Sequence, residues 1–210
     1  MARTQRVRRL VIVLGDQLDA RSAAFDDFDK KQDAVWMAEV AEEATHVWSH
    51  KARIAVFLSA MRHFRDSLRK RKVAVDYRQL DDRGNRGDFT GEFEAVVRRL
   101  RPERIVMVEP GEWRVKQAFE DAAARLGCSL ELRTDRHFLC SHEEFAEHAH
   151  GRKQLRLEYF YREMRRKHDV LLERASRSAE NGITIQRIEA ALPRRGHESC
   201  QPRGVSDPMR

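Results

Sequence analysis

The sequence predicts an α/β fold: a doubly wound, parallel five-stranded sheet followed by a C-terminal helical arm. Three observations carry this. The run Val11-Ile12-Val13-Leu14 is continuously apolar and breaks at Gly15-Asp16, the pattern of a strand buried on both faces with its loop at the carboxyl end. Further apolar runs follow, separated by amphipathic segments of ten or more residues, which argues for βαβ units joined by right-handed crossovers. Beyond Phe138 the alternation stops and helical spacing takes over.

After the first strand, Ala20–Phe28 holds Ala23, Ala24, Phe25 and Phe28, enough for a short helix at most. Asp33–Glu39 is the second strand and ends on an acid, while Ala41–Ser49 is polar and has no clear period. From Lys51, the residues Ile54, Phe57, Leu58, Met61, Phe64 and Leu68 recur at helical spacing, and this helix returns the chain to a third strand at Val73–Tyr77. Arg83–Asp88 is a loop by composition; Thr90, Phe93, Val96, Val97 and Leu100 then mark a helix that Pro102 closes. The fourth strand, Arg104–Val108, runs into Glu109-Pro110-Gly111-Glu112-Trp113. A helix over Arg114–Leu126 ends on Gly127 as its C′ residue, and Leu130 and Leu132 mark a short fifth strand. Ser141-His142-Glu143-Glu144 reads as a capping box opening a helix that ends near Gly151. Gln154–His168 reads as a basic helix with Leu155, Tyr159 and Met164 on one side and Phe160 and Tyr161 widening the stripe. An arm with that many rings is expected to pack against material outside this chain. Residues 1–137 thus form the α/β domain and residues 138–173 a helical connector.

The balance of 41 Lys and Arg against 34 Asp and Glu gives a net charge of +7, which favours anionic partners, although much of the excess lies in Arg152–Arg210. No apolar run approaches membrane-spanning length and no signal-peptide pattern opens the chain, so a cytoplasmic protein without membrane contact is expected. Cys128, Cys140 and Cys200 are too few and too scattered for a disulfide framework or a metal knuckle.

Acids stand at three strand ends, Asp16, Glu39 and Glu109, with Glu42, Glu43 and Glu112 nearby. In open α/β sheets ligands sit outside the carboxyl ends of the strands. Carboxylates there suit the hydroxyls or ring N–H groups of a polyol or heterocycle, and would repel a bare phosphate. No Gly-rich phosphate cradle is present. Acids that merely cap helix starts, and Gly-Asp as ordinary turn chemistry, are the alternatives. A divalent metal between Asp16 and Glu109 would need more oxygen ligands than the sequence places, and His46 and His50, at i and i+4, lack a third ligand for zinc. No metal site is expected. From composition and spacing alone the reading stops at a small-ligand α/β domain with a basic arm. A stand-alone nucleotide- or flavin-binding regulator, or a basic nucleic-acid-binding protein using Arg156–Lys167, stays open.

Several runs together resemble one family. L-G-D-Q-L (Leu14–Leu18), E-V-A-E-E-A-T before His50-Lys51, A-M-R-H-F, E-P-G-E-W-R-V and G-R-K-Q-L-R-L-E-Y-F-Y-R-E-M-R-R are similar to bacterial photolyase-related proteins, the iron–sulfur cryptochrome and six-four photolyase group. The resemblance covers Arg9 to about Glu173. It implies a Rossmann-like N-terminal domain holding a dimethyl-ribityl-lumazine antenna, and a larger helical domain holding FAD, a four-iron cluster ligated by four Cys, and the DNA lesion. Light absorbed by the antenna would pass to reduced FAD, which donates an electron to the photoproduct. Carried over by position, Asp16, Glu43 and His46 match the family's antenna pocket, with Glu39 in the same segment; Gly15, Gln17, Lys51 and Glu109 complete the expected chromophore-binding set. At position 46 the family commonly has Tyr, so His46 departs from the pattern.

FAD and the cluster are not expected in this chain, because no flavin domain fits after Glu173 and the four cluster cysteines are not found. The segment Ala179–Glu189 can be encoded so that, read one base earlier, it gives G-G-K-W-N-Y-D-S-E-N-R, the type of run with which the family continues. Residues 174–210 are therefore expected to be an out-of-frame, disordered tail, and the chain to be a truncated antenna domain, inactive alone and prone to self-association through its connector helix.

Overall fold

The computed structural model describes residues 7–46 and 49–170. The expected tail at residues 174–210, and Cys200 within it, lie outside the described residues. The strands are β1 (Arg9–Ile12), β2 (Asp33–Ala38), β3 (Ala74–Arg78), β4 (Arg104–Val108) and β5 (Leu130–Arg133), with a 3-10 turn at Ala23–Phe25. The helices are α1 (Ala41–Thr45), α2 (Lys51–Lys70), α3 (Phe89–Leu100), α4 (Trp113–Leu126), α5 (His142–Ala149) and α6 (Leu157–His168). All five strands pair in parallel in the order β3-β2-β1-β4-β5, as the doubly wound reading expects. The direction of winding reverses at β1, so a topological switch point falls between β1 and β4.

Alternate side chains of each central strand feed two cores, as the period-2 pleat requires. Leu10, Ile12, Trp36, Ile105 and Met107 meet α3 and α4, where Phe93 and Phe119 lie edge-to-face at 5.2 Å and Trp36 stands 6.2 Å from each. Val11, Val35, Met37, Val106 and Val108 meet Met61 and Leu68 of α2 on the other face. Burial of each such large side chain contributes about 1.5–3 kcal/mol.

Helix ends follow local chemistry. Asp88 caps α3 by accepting from the Gly91 N–H at 2.6 Å, Gly127 closes α4 at φ +64°, and Ser141 and Glu144 form the expected capping box on α5.

Two boundaries and the burial of one helix differ from the sequence reading by more than a residue. β1 begins at Arg9, before the apolar run, and Arg9 is fully buried; its guanidinium reaches Asp33 and the carbonyls of Asp26 and Asp27, so its charge is matched inside the fold. α2 is apolar-striped over its whole length, yet only Met61 and Leu68 are buried and Val56 and Phe57 are exposed, because its first half extends past the sheet. α6 begins at Leu157, three residues later than Gln154, which leaves Leu155 outside the helix. The chain divides into two compact units after Leu157. Within α6, Tyr159 and Tyr161 are about half exposed and Arg165 lies over the Tyr161 ring. None of the described helices is long and apolar enough to cross a membrane.

A candidate ligand crevice at the carboxyl ends of β2, β1 and β4

The twelve residues from Glu39 to His50, between β2 and α2, make an unusually long connection. They carry α1 and let the first half of α2 stand over the sheet's carboxyl edge. The result is a crevice of about 250 Å³ at the switch point. Its floor is Leu14, Gly15 and Asp16 after β1, its sides are Glu39, Val40 and Glu43 after β2 and Pro110, Glu112 and Val115 after β4, and its roof is Arg53, Ile54, Phe57 and Met61 of α2.

Gly15 is where backbone and roof touch. A Cβ there would lie 2.4 Å from the Phe57 ring and 2.9 Å from Met61 Sδ. The partly exposed Phe57 ring can swing away but Met61 is buried, so Gly15→Ala should lower stability by about 1–3 kcal/mol while displacing the roof. The measurement is a thermal melt together with crevice-ligand affinity, where at least about tenfold loss is expected.

The acids of the crevice differ in state. Asp16 stands at its opening with no side-chain partner among the described residues, and crowding by the walls, with Asp135 and Glu112 nearby, pushes its pKa above the ordinary 3.8. Glu39 is the opposite. Burial works to raise its pKa, but Arg62 grips it in two bonds of 2.7 and 2.8 Å, and Tyr77 Oη and the Leu80 N–H donate at 2.6 and 3.0 Å, so the pKa is lowered overall. A carboxylate accepts about four hydrogen bonds, so that of Glu39 is saturated within the chain and braces β2 against β3 and α2. Burial first, then the bond to Glu39, raises the Tyr77 pKa.

Across the opening, Arg114 holds three carboxylates at once: Glu42 at 2.9 Å, Glu43 at 2.8 Å and Glu112 at 2.9 Å. This ties α1 to the segment that leaves β4. The Arg114 pKa is raised accordingly, first by Glu112 and then by Glu43. Oε2 of Glu43 is left without a partner among the described residues.

Of the expected site residues, the structure brings Gly15, Asp16, Glu39 and Glu43 into one lining. Gln17, His46, Lys51 and Glu109 are not part of it. Gln17 is buried and ties the exits of β1 and β4, donating to the carbonyl oxygens of Glu109 at 3.1 Å and Val108 at 3.4 Å, while its own Oε1 has no partner among the described residues. His46 is half exposed with Nε2 3.8 Å from Glu112, Lys51 is exposed at the start of α2, and Glu109 is bonded by Lys116 at 2.6 Å. Residues missed in the sequence are Arg114, Arg53, Phe57 and Met61. Arg114 stood inside the E-P-G-E-W-R-V run and the others in the α2 stripe, but nothing local marks a charge that reaches another element or an apolar residue that lines a crevice instead of a core. Among the described residues no group of three or more His, Cys, Asp or Glu is placed to hold a metal ion.

The profile of the deoxyribodipyrimidine photo-lyase-related protein family matches residues 11–180. The chain belongs to this family. A (6-4) photolyase of Agrobacterium fabrum (strain C58 / ATCC 33970) is 49% identical over 164 residues, which are 78% of this chain and 32% of that protein. The chain spans about a third of the length of this photolyase relative. Both crevice-forming connections, Glu39–His50 and Glu109–Glu112, lie within the family match.

Proposed function

We propose that this chain forms the antenna-chromophore-binding unit of a photolyase- or cryptochrome-related flavoprotein, with dimethyl-ribityl-lumazine held in the crevice. One observation carries the reading: an apolar roof of Phe57, Ile54 and Met61 faces an opening edged by Asp16, which has no side-chain partner among the described residues, and by Glu43, whose Oε2 has none there either. That is the donor–acceptor layout a flat two-ring heterocycle with a polyhydroxyl chain needs. The roof covers the ring and excludes water, Asp16 and Glu43 accept from ribityl hydroxyls or ring N–H groups, and Arg53, whose guanidinium has no ion-pair or hydrogen-bond partner among the described residues, donates to ring carbonyls. The bound lumazine would supply near-ultraviolet to blue absorption.

The chain's three cysteines are fewer than the four an all-cysteine iron cluster takes. The proposal therefore assigns FAD, the cluster and lesion repair to the part of the family protein that this chain does not share, and expects no DNA repair from the chain alone.

Titration of the purified chain with dimethyl-ribityl-lumazine, followed by fluorescence and equilibrium dialysis, is expected to give one saturable site per chain. Binding should weaken as pH falls through the raised pKa of Asp16, since protonation removes the charged acceptor. Release should precede acid unfolding. Glu39 and Asp33 have lowered pKa values, so the stability they contribute is present above their unfolded-state values and lost only at more acid pH. No binding, with salt-sensitive DNA binding in its place, would favour the basic nucleic-acid reading.

A further inference from the structure

We infer that the opening of the crevice selects its ligand by charge, admitting a heterocycle with an uncharged polyol chain and excluding its phosphate ester, with Glu42 and Glu112 as specificity-determining residues held in place by Arg114. The inference rests on the proposed reading of the crevice as a chromophore site.

Four carboxylates (Asp16, Glu42, Glu43, Glu112) gather there against two guanidiniums (Arg53, Arg114), an excess of two negative charges. Of the other acids nearby, Glu39 is matched by Arg62 and Glu109 by Lys116, while Asp135, also close to Asp16, carries the same sign as the excess. This local sign runs against the chain as a whole, which carries +7. Anionic ligands are drawn to the protein and repelled at this one opening.

Geometry prevents the repulsion from relaxing. A lone surface carboxylate can rotate away from an approaching phosphate, but Glu42 and Glu43 are consecutive on α1, and Glu112 precedes α4 across the opening. All three are bonded to the same guanidinium within 2.9 Å. Glu42 and Glu112 are the more open of the three, with 40% and 48% of their side-chain surface exposed against 31% for Glu43. Glu42, outside the lining, and Glu112, on its open side, form the rim, where the end of a ribityl chain would emerge, while Glu43 is the least open of the three. A phosphate brings nearly two negative charges to that rim at neutral pH. Like charges a few ångströms apart at a half-solvated surface interact strongly enough to shift affinity by about tenfold or more.

The test compares dimethyl-ribityl-lumazine with its 5′-phosphate, two probes that differ in one group only. The wild-type chain should bind the phosphate at least about thirtyfold more weakly, and the ratio should narrow as salt rises. Glu112→Gln alone, and Glu42→Gln with Glu112→Gln, should shrink it stepwise to below about fivefold, the ratio being read against each variant's own affinity for the parent compound. Glu147→Gln on α5 removes the same charge from a residue that does not line the crevice and should leave the ratio intact. Equal affinity for both probes in the wild-type chain overturns the inference and leaves the chromophore reading standing. A ratio that Glu147→Gln narrows as much as Glu112→Gln also overturns it, because net charge would then be responsible. Failure of dimethyl-ribityl-lumazine itself to bind removes the inference and the reading together.

Discussion

Asp33→Ala should lower the stability of the chain by about 3–5 kcal/mol, the range found when one partner of a buried ion pair is deleted. Asp33 begins β2 directly opposite Arg9 in the sheet register, and both side chains are fully buried. Its Oδ2 accepts from Arg9 Nε at 3.2 Å, from Arg8 Nη2 at 2.7 Å and from the Asp29 N–H at 2.8 Å. Removal leaves the Arg9 guanidinium in the interior with the backbone carbonyls of Asp26 and Asp27 as its only acceptors among the described residues. Urea unfolding is the measurement, and the midpoint should fall with the slope unchanged. Replacing both partners, Arg9→Met with Asp33→Leu, should recover most of the loss, because no uncompensated charge then remains. A loss below about 1 kcal/mol for Asp33→Ala would contradict the pair's assigned role. The acid limb has the same origin. Burial acts to raise the Asp33 pKa, but the hydrogen bond from Arg8 and the neighbouring charges lower it overall, so its contribution disappears as pH falls below the ordinary carboxylate range.

Asp16→Asn combined with Glu43→Gln should reduce lumazine affinity by about a thousandfold, since a hydrogen bond to a charged group is worth about 1.5–3 kcal/mol and two are removed. Each single variant should lose about ten- to a hundredfold. Stability should move the other way for Asp16. Its carboxyl pKa is raised, so ionisation opposes the folded state at neutral pH, and Asp16→Asn removes that opposition. Glu43→Gln frees one arm of the Arg114 clamp, leaving the bonds to Glu42 and Glu112, and should be nearly neutral in a melt. A site residue that weakens binding while leaving or raising stability differs from a core residue, whose loss lowers both. If the double variant retains the ligand, Asp16 and Glu43 are not the binding pair.

The sheet was legible because its signals are local. β4 matches the expected Arg104–Val108 residue for residue, as a buried parallel strand between Pro102 and Pro110 should. The idea of a crevice was legible as well, since Gly15-Asp16 and Glu39 mark strand ends. What was not legible is which acid is free. Glu39 is saturated by Arg62, 23 residues away, and by Tyr77, 38 residues away, while Arg114 reaches Glu42 across 72 residues. Sequence spacing reports periodicity within an element; pairing of charges between elements depends on the tertiary path. The same limit hid Arg9, whose charge argues against a strand until Asp33 is placed beside it. It also hid the divided work of α2, where one apolar stripe serves the core at Met61 and Leu68 and the crevice at Ile54 and Phe57.

Nuclear Overhauser contacts between bound dimethyl-ribityl-lumazine and the protein test the crevice most directly. The ring methyls are expected to report to the methyls of Ile54 and Met61 and to the Phe57 ring, and the ribityl protons to Gly15. Contacts that cluster instead on Tyr159 and Tyr161 of α6, with none to α2, would contradict a chromophore site at the carboxyl edge of the sheet.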